Sequence, residues 1–300
     1  MKKIKSVRNP TSKATRLIVS WWGRETPSRG VRNMARTILI TGAGSGLGEG
    51  AAIGLARAGH NVIATAESWP QVTALRDKAA AMGLENLTAT RLNMWDEYDI
   101  ANAAKLDFDV LVNNAGIGEG GPIAEIPIAL VKHNFEVNVF ALLDLTQRVV
   151  RRWVKAKVKG KVVFTSSVLA VISPGMVGSY SATKHAIQAI AEAMQDELKE
   201  FGIQVQTINP GPFFTGFNER MVEAAYRWLD DDVNFTSRAS FKNQADALLD
   251  KPEMRLDPKD MIGKMVELIP EQTGTFRNIF PKDTADWAVA AGQQMWERTI

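Results

Sequence analysis

The chain has 300 residues, 45% of them apolar and 23% charged, with 12 Pro and 23 Gly, a composition that excludes disordered, collagen-like and low-complexity classes. The absence of Cys removes disulfides, thiolate nucleophiles and Cys-held zinc or iron–sulfur clusters, and the three His (His60, His133, His185) share no zinc-site spacing, so no metal site is expected. The net charge of +3 conceals an asymmetry: residues 1–33 hold nine Lys/Arg against one acid, Glu25, which leaves the rest of the chain at −5.

Taken in chain order, residues 1–33 read as a basic, disordered extension ahead of Met34, with a targeting peptide, a membrane-surface arm or a nucleic-acid tail as alternatives. No apolar run reaches the ~20 residues of a membrane-spanning helix. A cytoplasmic protein with no membrane or nucleic-acid partner is therefore expected. From residue 37, short apolar β-branched runs at 37–40, 62–65, 87–92, 110–113, 162–165 and 205–209 alternate with helical stretches near 47–58, 70–82, 127–155 and 180–201. That alternation predicts one α/β domain over residues 34–300, a doubly wound central parallel sheet flanked by helices. Residues 212–258 break the rhythm with Phe217, Tyr226, Trp228, Phe235, Phe241 and the run Asp230-Asp231-Asp232. They read either as a lid over the site or as a helix packed on the body with a solvated acidic cap. A helix at 260–268, a strand at 276–280 and a terminal helix close the chain.

The first strand runs into Thr41-Gly42-Ala43-Gly44-Ser45-Gly46-Leu47-Gly48, and a helix follows. A strand, a glycine turn and a helix N-terminus let backbone N–H groups approach a pyrophosphate. The strict six-residue dinucleotide fingerprint fits only one turn late, at Gly46-x-Gly48-x-x-Ala51; glycines here could equally serve helix-to-strand packing. Glu67 lies nineteen residues after Gly48, where a carboxylate can accept from a ribose 2′-hydroxyl, so NAD is favoured over NADP. The alternative leaves Glu67 solvated and folds Arg57 or Arg76 over a 2′-phosphate.

Tyr180 and Lys184 stand four apart at a helix start, which stacks them on one side of a turn, and Ser167 ends a strand thirteen residues upstream of the tyrosine. The pair alone is suggestive; with Ser167 it forms a chemistry. A phenol titrates too high to act as a base near neutrality, and a neighbouring ammonium would favour phenolate. Ser167 could then hold a carbonyl oxygen while Tyr180 passes a proton and the carbon exchanges hydride with a nicotinamide. The competing reading is a half-buried aromatic beside a surface lysine.

Thr41-Gly42-x-x-x-Gly46-x-Gly48, Asn113-Asn114-Ala115-Gly116, Ser167, Tyr180-x-x-x-Lys184 and Asn209-Pro210-Gly211 resemble, in order and spacing, the motifs of the short-chain dehydrogenases/reductases, over about residues 36–215. The resemblance implies a Rossmann-type fold and a nicotinamide-dependent alcohol dehydrogenase or carbonyl reductase. It implies catalytic roles for Ser167, Tyr180, Lys184 and Asn138, the last holding a water that relays protons to Lys184; a buried amide bonded to backbone at a helix kink is the plainer reading of Asn138. For the cofactor it implies Gly42, Ser45, Gly46, Leu47, Gly48, Glu67, Asn93, Met94, Asn114, Ala115, Gly116, Tyr180, Lys184, Pro210, Gly211, Phe213 and Thr215. Asn93 replaces the family's usual Asp beside the adenine, and the C-terminal Thr275-Phe276-Arg277-Asn278-Ile279-Phe280-Pro281 lacks the usual ending through which tetramers form. A homodimer is therefore expected ahead of a homotetramer, through the stripe Ala182, Ala186, Ala189 and Ala193, unless that stripe packs on its own sheet. Val168, Leu169, Met176, Val177 and the segment 217–228 suggest an apolar substrate. A non-catalytic dinucleotide sensor is the rival, and the intact Tyr-Lys pair counts against it.

Overall fold

Strands made of Val, Ile and Leu on both faces need helices on both sides, and the chain supplies them between strands. The computed structural model describes residues 35–249, 251 and 254–299, so the basic segment 1–33 expected to be an extension lies outside the described residues. Among these, β1 (Thr37–Ile40), β2 (Asn61–Ala66), β3 (Leu87–Arg91), β4 (Val110–Asn113), β5 (Lys161–Thr165), β6 (Gln204–Pro210) and β7 (Arg277–Phe280) form one parallel sheet in the order β3-β2-β1-β4-β5-β6-β7. The helices are α1 (Gly46–Arg57), α2 (Trp69–Ala81), α3 (Glu97–Ala103), α4 (Ile128–Phe135), α5 (Leu142–Ala156), α6 (Gly178–Glu197), α7 (Phe217–Ala225), α8 (Arg238–Leu249), α9 (Pro258–Leu268) and α10 (Lys282–Gln294). This is the doubly wound, Rossmann-type arrangement expected from the sequence.

The period of two along each strand divides the core into two layers. Ile38, Ile40, Val110, Val112 and Val163 face α1, α2 and α9, while Leu39, Leu111, Val162 and Phe164 face α3, α5 and α6. Each fully buried aliphatic side chain contributes about 1.5–3 kcal/mol. The chain winds outward from β1 to β3, then crosses back to β4. The C-terminal edge therefore opens between β1 and β4, where such sheets receive ligands.

Two elements differ from the sequence reading. The helix expected over 127–155 is α4 and α5 joined by a π-helical segment, Glu136–Ala141, whose widened turn periodicity alone cannot resolve. Seven-residue α3 is too short for a periodic signal and is fixed by its cap, Asp96, which accepts from the N–H groups of Tyr98 and Asp99. Segment 212–258 holds α7 and α8, and its two ends are tied to each other by Phe214 N–H to Leu256 O (2.9 Å) and Leu256 N–H to Pro212 O (3.3 Å). At the opposite sheet edge, buried Lys161 donates to Leu268 O (2.8 Å) and Glu271 O (2.7 Å) beyond the end of α9; burial, aided by Arg36, pulls its pKa down to about 8.

Candidate active site

The glycine turn is built by contacts that leave no room for side chains. Thr41 Oγ1 accepts from the N–H groups of Asn114 and Ala115, both at 2.9 Å, and Asn114 Nδ2 donates to Thr41 O (3.0 Å) and Gly42 O (3.2 Å). The end of β4 thereby clamps the turn after β1. A Cβ on Gly48 would stand 2.4 Å from Asn114 Nδ2 and 2.5 Å from Gly42 O, and Gly42 combines φ +65° with an approach of 2.7 Å to Ala115 Cα. Ser45, at the N-cap of α1, makes no side-chain cap bond, and Ser45 and Gly46 are exposed. The first-turn amides of Gly46, Leu47 and Gly48 thus point from an uncapped helix N-terminus, an arrangement that fits a dinucleotide's pyrophosphate.

The other residues named for the cofactor line the same edge. Thr215 lies against the turn, 3.6 Å from where a Gly46 Cβ would be. Glu67 is exposed just beyond β2. Asn93 Oδ1 accepts from Trp95 N–H (3.0 Å), its own N–H donates to Asp99, and Met94 is buried in the core beneath. Pro210 ends β6, Gly211 is packed against Thr284 and Phe280, and Phe213 is buried, stacked parallel to Phe280, with its N–H on Gly211 O (3.0 Å). The two arginines considered for a 2′-phosphate are engaged elsewhere. Arg76 donates twice to Ala89 O (2.8 and 3.1 Å), and Arg57 sits at the far end of α1 against Met82.

Ser167, Tyr180 and Lys184 are all buried and meet at the C-terminal end of β5. Lys184 Nζ donates to Thr165 O (3.0 Å) and lies 5.4 Å from the Tyr180 ring centre. Asn209 Nδ2 donates to Ser167 O (2.9 Å), which ties the serine to β6. Here the electrostatics depart from the expectation of an acidified phenol. Burial pushes the Tyr180 hydroxyl above its ordinary value, the Ser167 hydroxyl bonded to it pulls the other way, and burial lowers Lys184 to about 8. Phe217 of α7 lies against the phenol with ring centres 5.4 Å apart, and burial outweighs the pull of Ser167 on the hydroxyl.

Asn138 sits in the π-helical segment, and its side chain is tied on both sides. Its Oδ1 accepts from Ile117 N–H (2.8 Å), while Nδ2 donates to Ile117 O (2.9 Å) and Thr183 Oγ1 (3.1 Å). The backbone-bonded amide at a helix irregularity is therefore present. A Cβ on Gly116 would stand 3.2 Å from Asn138 Oδ1 and 3.7 Å from Lys184 Nζ, so the missing side chain keeps the space beside both groups open. One turn upstream, Asn134, which sequence reasoning missed, bonds Glu119 and Ser179 in the same manner. Its trace in the sequence is the repeat of spacing four, Asn134 with Asn138 and Ser179 with Thr183.

Over this floor lies α7. Met221, Val177 and Tyr180 form one apolar cluster with Leu169 and Phe217, and Met176, Tyr226 and Trp228 join another with Phe241. The loop after β4 receives the covering segment through its glycines. Gly120 N–H donates to Met221 O (3.1 Å), Gly121 N–H donates to Met176 O (2.7 Å), and Cβ atoms on Gly118 and Gly121 would meet Met221 and Trp228 at 2.8 and 2.2 Å. The alanine stripe of α6 is divided: Ala182, Ala189 and Ala193 are exposed, Ala186 is partly buried against the core, and Ile187 and Ala191 face the sheet. Among the described residues there is no cluster of three metal-ligating side chains, and no helix long and apolar enough to cross a membrane.

Residues 36–225 match the family model for short chain dehydrogenase. The chain is 43% identical over 116 residues to the NADPH-dependent 3-dehydrocapnine reductase of Ornithobacterium rhinotracheale, covering 37% of this chain and 40% of that protein. It is 33% identical over 183 residues to the uncharacterized oxidoreductase YusZ of Bacillus subtilis (strain 168), covering 59% of this chain and 65% of the relative, so it spans less than two thirds of either. A short-chain dehydrogenase from Streptomyces avermitilis superposes with a TM-score of 0.71 at 26% identity, over 88% of this chain and 94% of that one. With the glycine turn, the β4 clamp and the Tyr180-x-x-x-Lys184 helix in one matched span, the chain belongs to the short-chain dehydrogenase family.

Proposed function

We propose that this chain is an NAD(P)-dependent oxidoreductase that interconverts a secondary alcohol and a ketone or aldehyde on an apolar small molecule. The observation that carries the reading is the convergence of Ser167, Tyr180 and Lys184 on one sheet edge, beside the uncapped N-terminus of α1 and under an apolar cover. Bound nicotinamide supplies the hydride chemistry. Ser167 holds the substrate oxygen, and Tyr180, kept neutral by burial, is the proton donor that carbonyl reduction requires. Lys184 and Asn138 hold the proton path and the ribose side, and segment 212–258 is the substrate lid. NAD is favoured because Glu67 immediately follows β2 while Arg57 and Arg76 are occupied elsewhere. The NADPH dependence of the Ornithobacterium relative is the reason to assay both cofactors. The exposed alanines of α6, Ala182, Ala189 and Ala193, support a homodimer through that helix.

The test is a panel of ketones, aldehydes and secondary alcohols with each cofactor. Tyr180→Phe should lower kcat by about 10²–10⁴-fold while leaving cofactor affinity nearly unchanged. A variant as fast as wild type would overturn the role of Tyr180, and a wild type that turns over nothing on the panel would favour a non-catalytic dinucleotide sensor.

A further inference from the structure

Two fully buried asparagines on the α4–α5 run make the same set of bonds, and the function proposed above uses one of them. Asn138 bridges the backbone of Ile117, through both its N–H and its carbonyl, to the hydroxyl of Thr183. Asn134 bridges the backbone of Glu119, accepting from its N–H (3.1 Å) and donating to its O (3.4 Å), to the hydroxyl of Ser179 (2.7 Å). Ser179 immediately precedes Tyr180, and Thr183 immediately precedes Lys184.

The duplication follows from matching repeats. Four residues along a helix advance about 6 Å, and two residues along an extended chain advance about 6.6 Å. A loop running extended from Ile117 to Glu119 can therefore meet two helical asparagines four apart, and those meet two hydroxyls four apart on α6. The two amide bridges serve different halves of the site. Ile117 adjoins Gly116, which lies against Lys184; Glu119 adjoins Gly120 and Gly121, whose N–H groups hold Met221 of the lid and Met176 beneath it. His133, beside Asn134 on α4, pairs with the Glu119 carboxylate (3.2 Å) and stacks at a tilt on Trp95, which fixes the same residue from a second side.

We propose that Asn134 is a second positioning residue, setting the lid and substrate side of the site as Asn138 sets the Lys184 side; its kinetic consequence rests on the oxidoreductase reading above. The side chain of Asn134 is fully buried and bonds Glu119 and Ser179, so it acts through them. It fixes the distance between the first turn of α6, which carries the phenol, and the loop that seats α7 over it. A buried bridge of this kind is costly to break on one side, because the remaining partners are left unpaired.

The experiment compares Asn134→Ala, Asn138→Ala and Ser179→Ala in the full chain by amide hydrogen exchange and, where turnover is found, by steady-state kinetics. Asn134→Ala should speed exchange at Glu119, Gly120 and Gly121 about tenfold more than at Ile117, and Asn138→Ala should do the reverse. Asn134→Ala should also raise KM for the best carbonyl substrate about tenfold, with kcat and cofactor Kd within about threefold. Ser179→Ala should reproduce that KM rise, and adding it to Asn134→Ala should give no further rise. The proposal is overturned if exchange at 117 and at 119–121 rises in parallel with lost stability, or if the two KM effects simply add. Wild type that turns over nothing on the panel sinks the oxidoreductase reading, and the exchange ratio alone then decides the clamp.

Discussion

The glycine turn after β1 and the segment packed over Tyr180 both lie at the C-terminal edge of the sheet, yet they are held by different physics. Around the turn, backbone and short polar side chains fix every approach: Thr41 Oγ1, the Asn114 amide and the absent Cβ of Gly48 leave no alternative packing. The covering segment rests on Met221, Phe217 and Trp228, apolar side chains that repack readily, and on one hydrogen bond, from Gly120 N–H to Met221 O, to the loop that ends in Gly121. One wall therefore suits a ligand group of constant shape, and the other suits a substrate of variable shape.

Substitutions on the two walls should separate cofactor affinity from substrate affinity. The largest effect is expected at Gly48→Ala, where the new Cβ meets backbone and amide atoms at 2.4–2.5 Å. Overpacking of ~1–3 kcal/mol should weaken cofactor binding by up to about 100-fold, read by fluorescence titration, with carbonyl KM at saturating cofactor little changed. An unchanged cofactor Kd would break the contrast at its firmer end.

Gly121→Ala should act on the other wall. Its φ of +131° disfavours any side chain, and the added Cβ would lie 2.2 Å from Trp228. Displacement of the lid should raise carbonyl KM about tenfold and leave cofactor Kd within about twofold, both read by steady-state kinetics and titration. Equal losses in both constants would mean that the two walls move as one.

The smallest effect is expected at the lid's outer tie. Glu125 Oε1 accepts from Phe235 N–H (2.7 Å) and Thr236 N–H (3.3 Å), joining the α7–α8 connection to the body. Burial opposes ionisation of Glu125, but the bonds from Thr236, Phe235 and Asn234 outweigh it and hold its pKa below the usual value of 4.5. A depressed carboxylate contributes stability above its unfolded pKa and loses it as pH falls through the folded one, so the tie should hold above pH 4.5 and loosen only as pH falls below that value. Limited proteolysis within 230–236 should speed up about threefold in Glu125→Gln at pH 7, a change that global unfolding would not confine to that segment.

Much of the fold was legible because its signals are local. β-branched runs of four to six residues, glycines after the first strand, and a Tyr and Lys four apart each report a conformation set by neighbours in sequence. The π-helical segment at Glu136–Ala141 and seven-residue α3 were not legible, since one depends on packing against α6 and the loop after β4 and the other on a single cap. Asn134 was missed for a related reason: a lone polar residue on a helix acquires meaning only when Glu119 and Ser179 are brought to it. Gly118, Gly120 and Gly121 carry no local signal, because what requires them is Met221 and Trp228 in the space their side chains would take.

By itself the sequence determined the parallel sheet, the glycine turn, and the placement of Ser167, Tyr180 and Lys184 on one edge, because strand period, turn chemistry and helical spacing act over a few residues. Tertiary structure alone decided the surroundings of Tyr180. Burial disfavours the charged form of its phenol, and that burial depends partly on Phe217, 37 positions downstream, which meets the ring only when α7 folds over it.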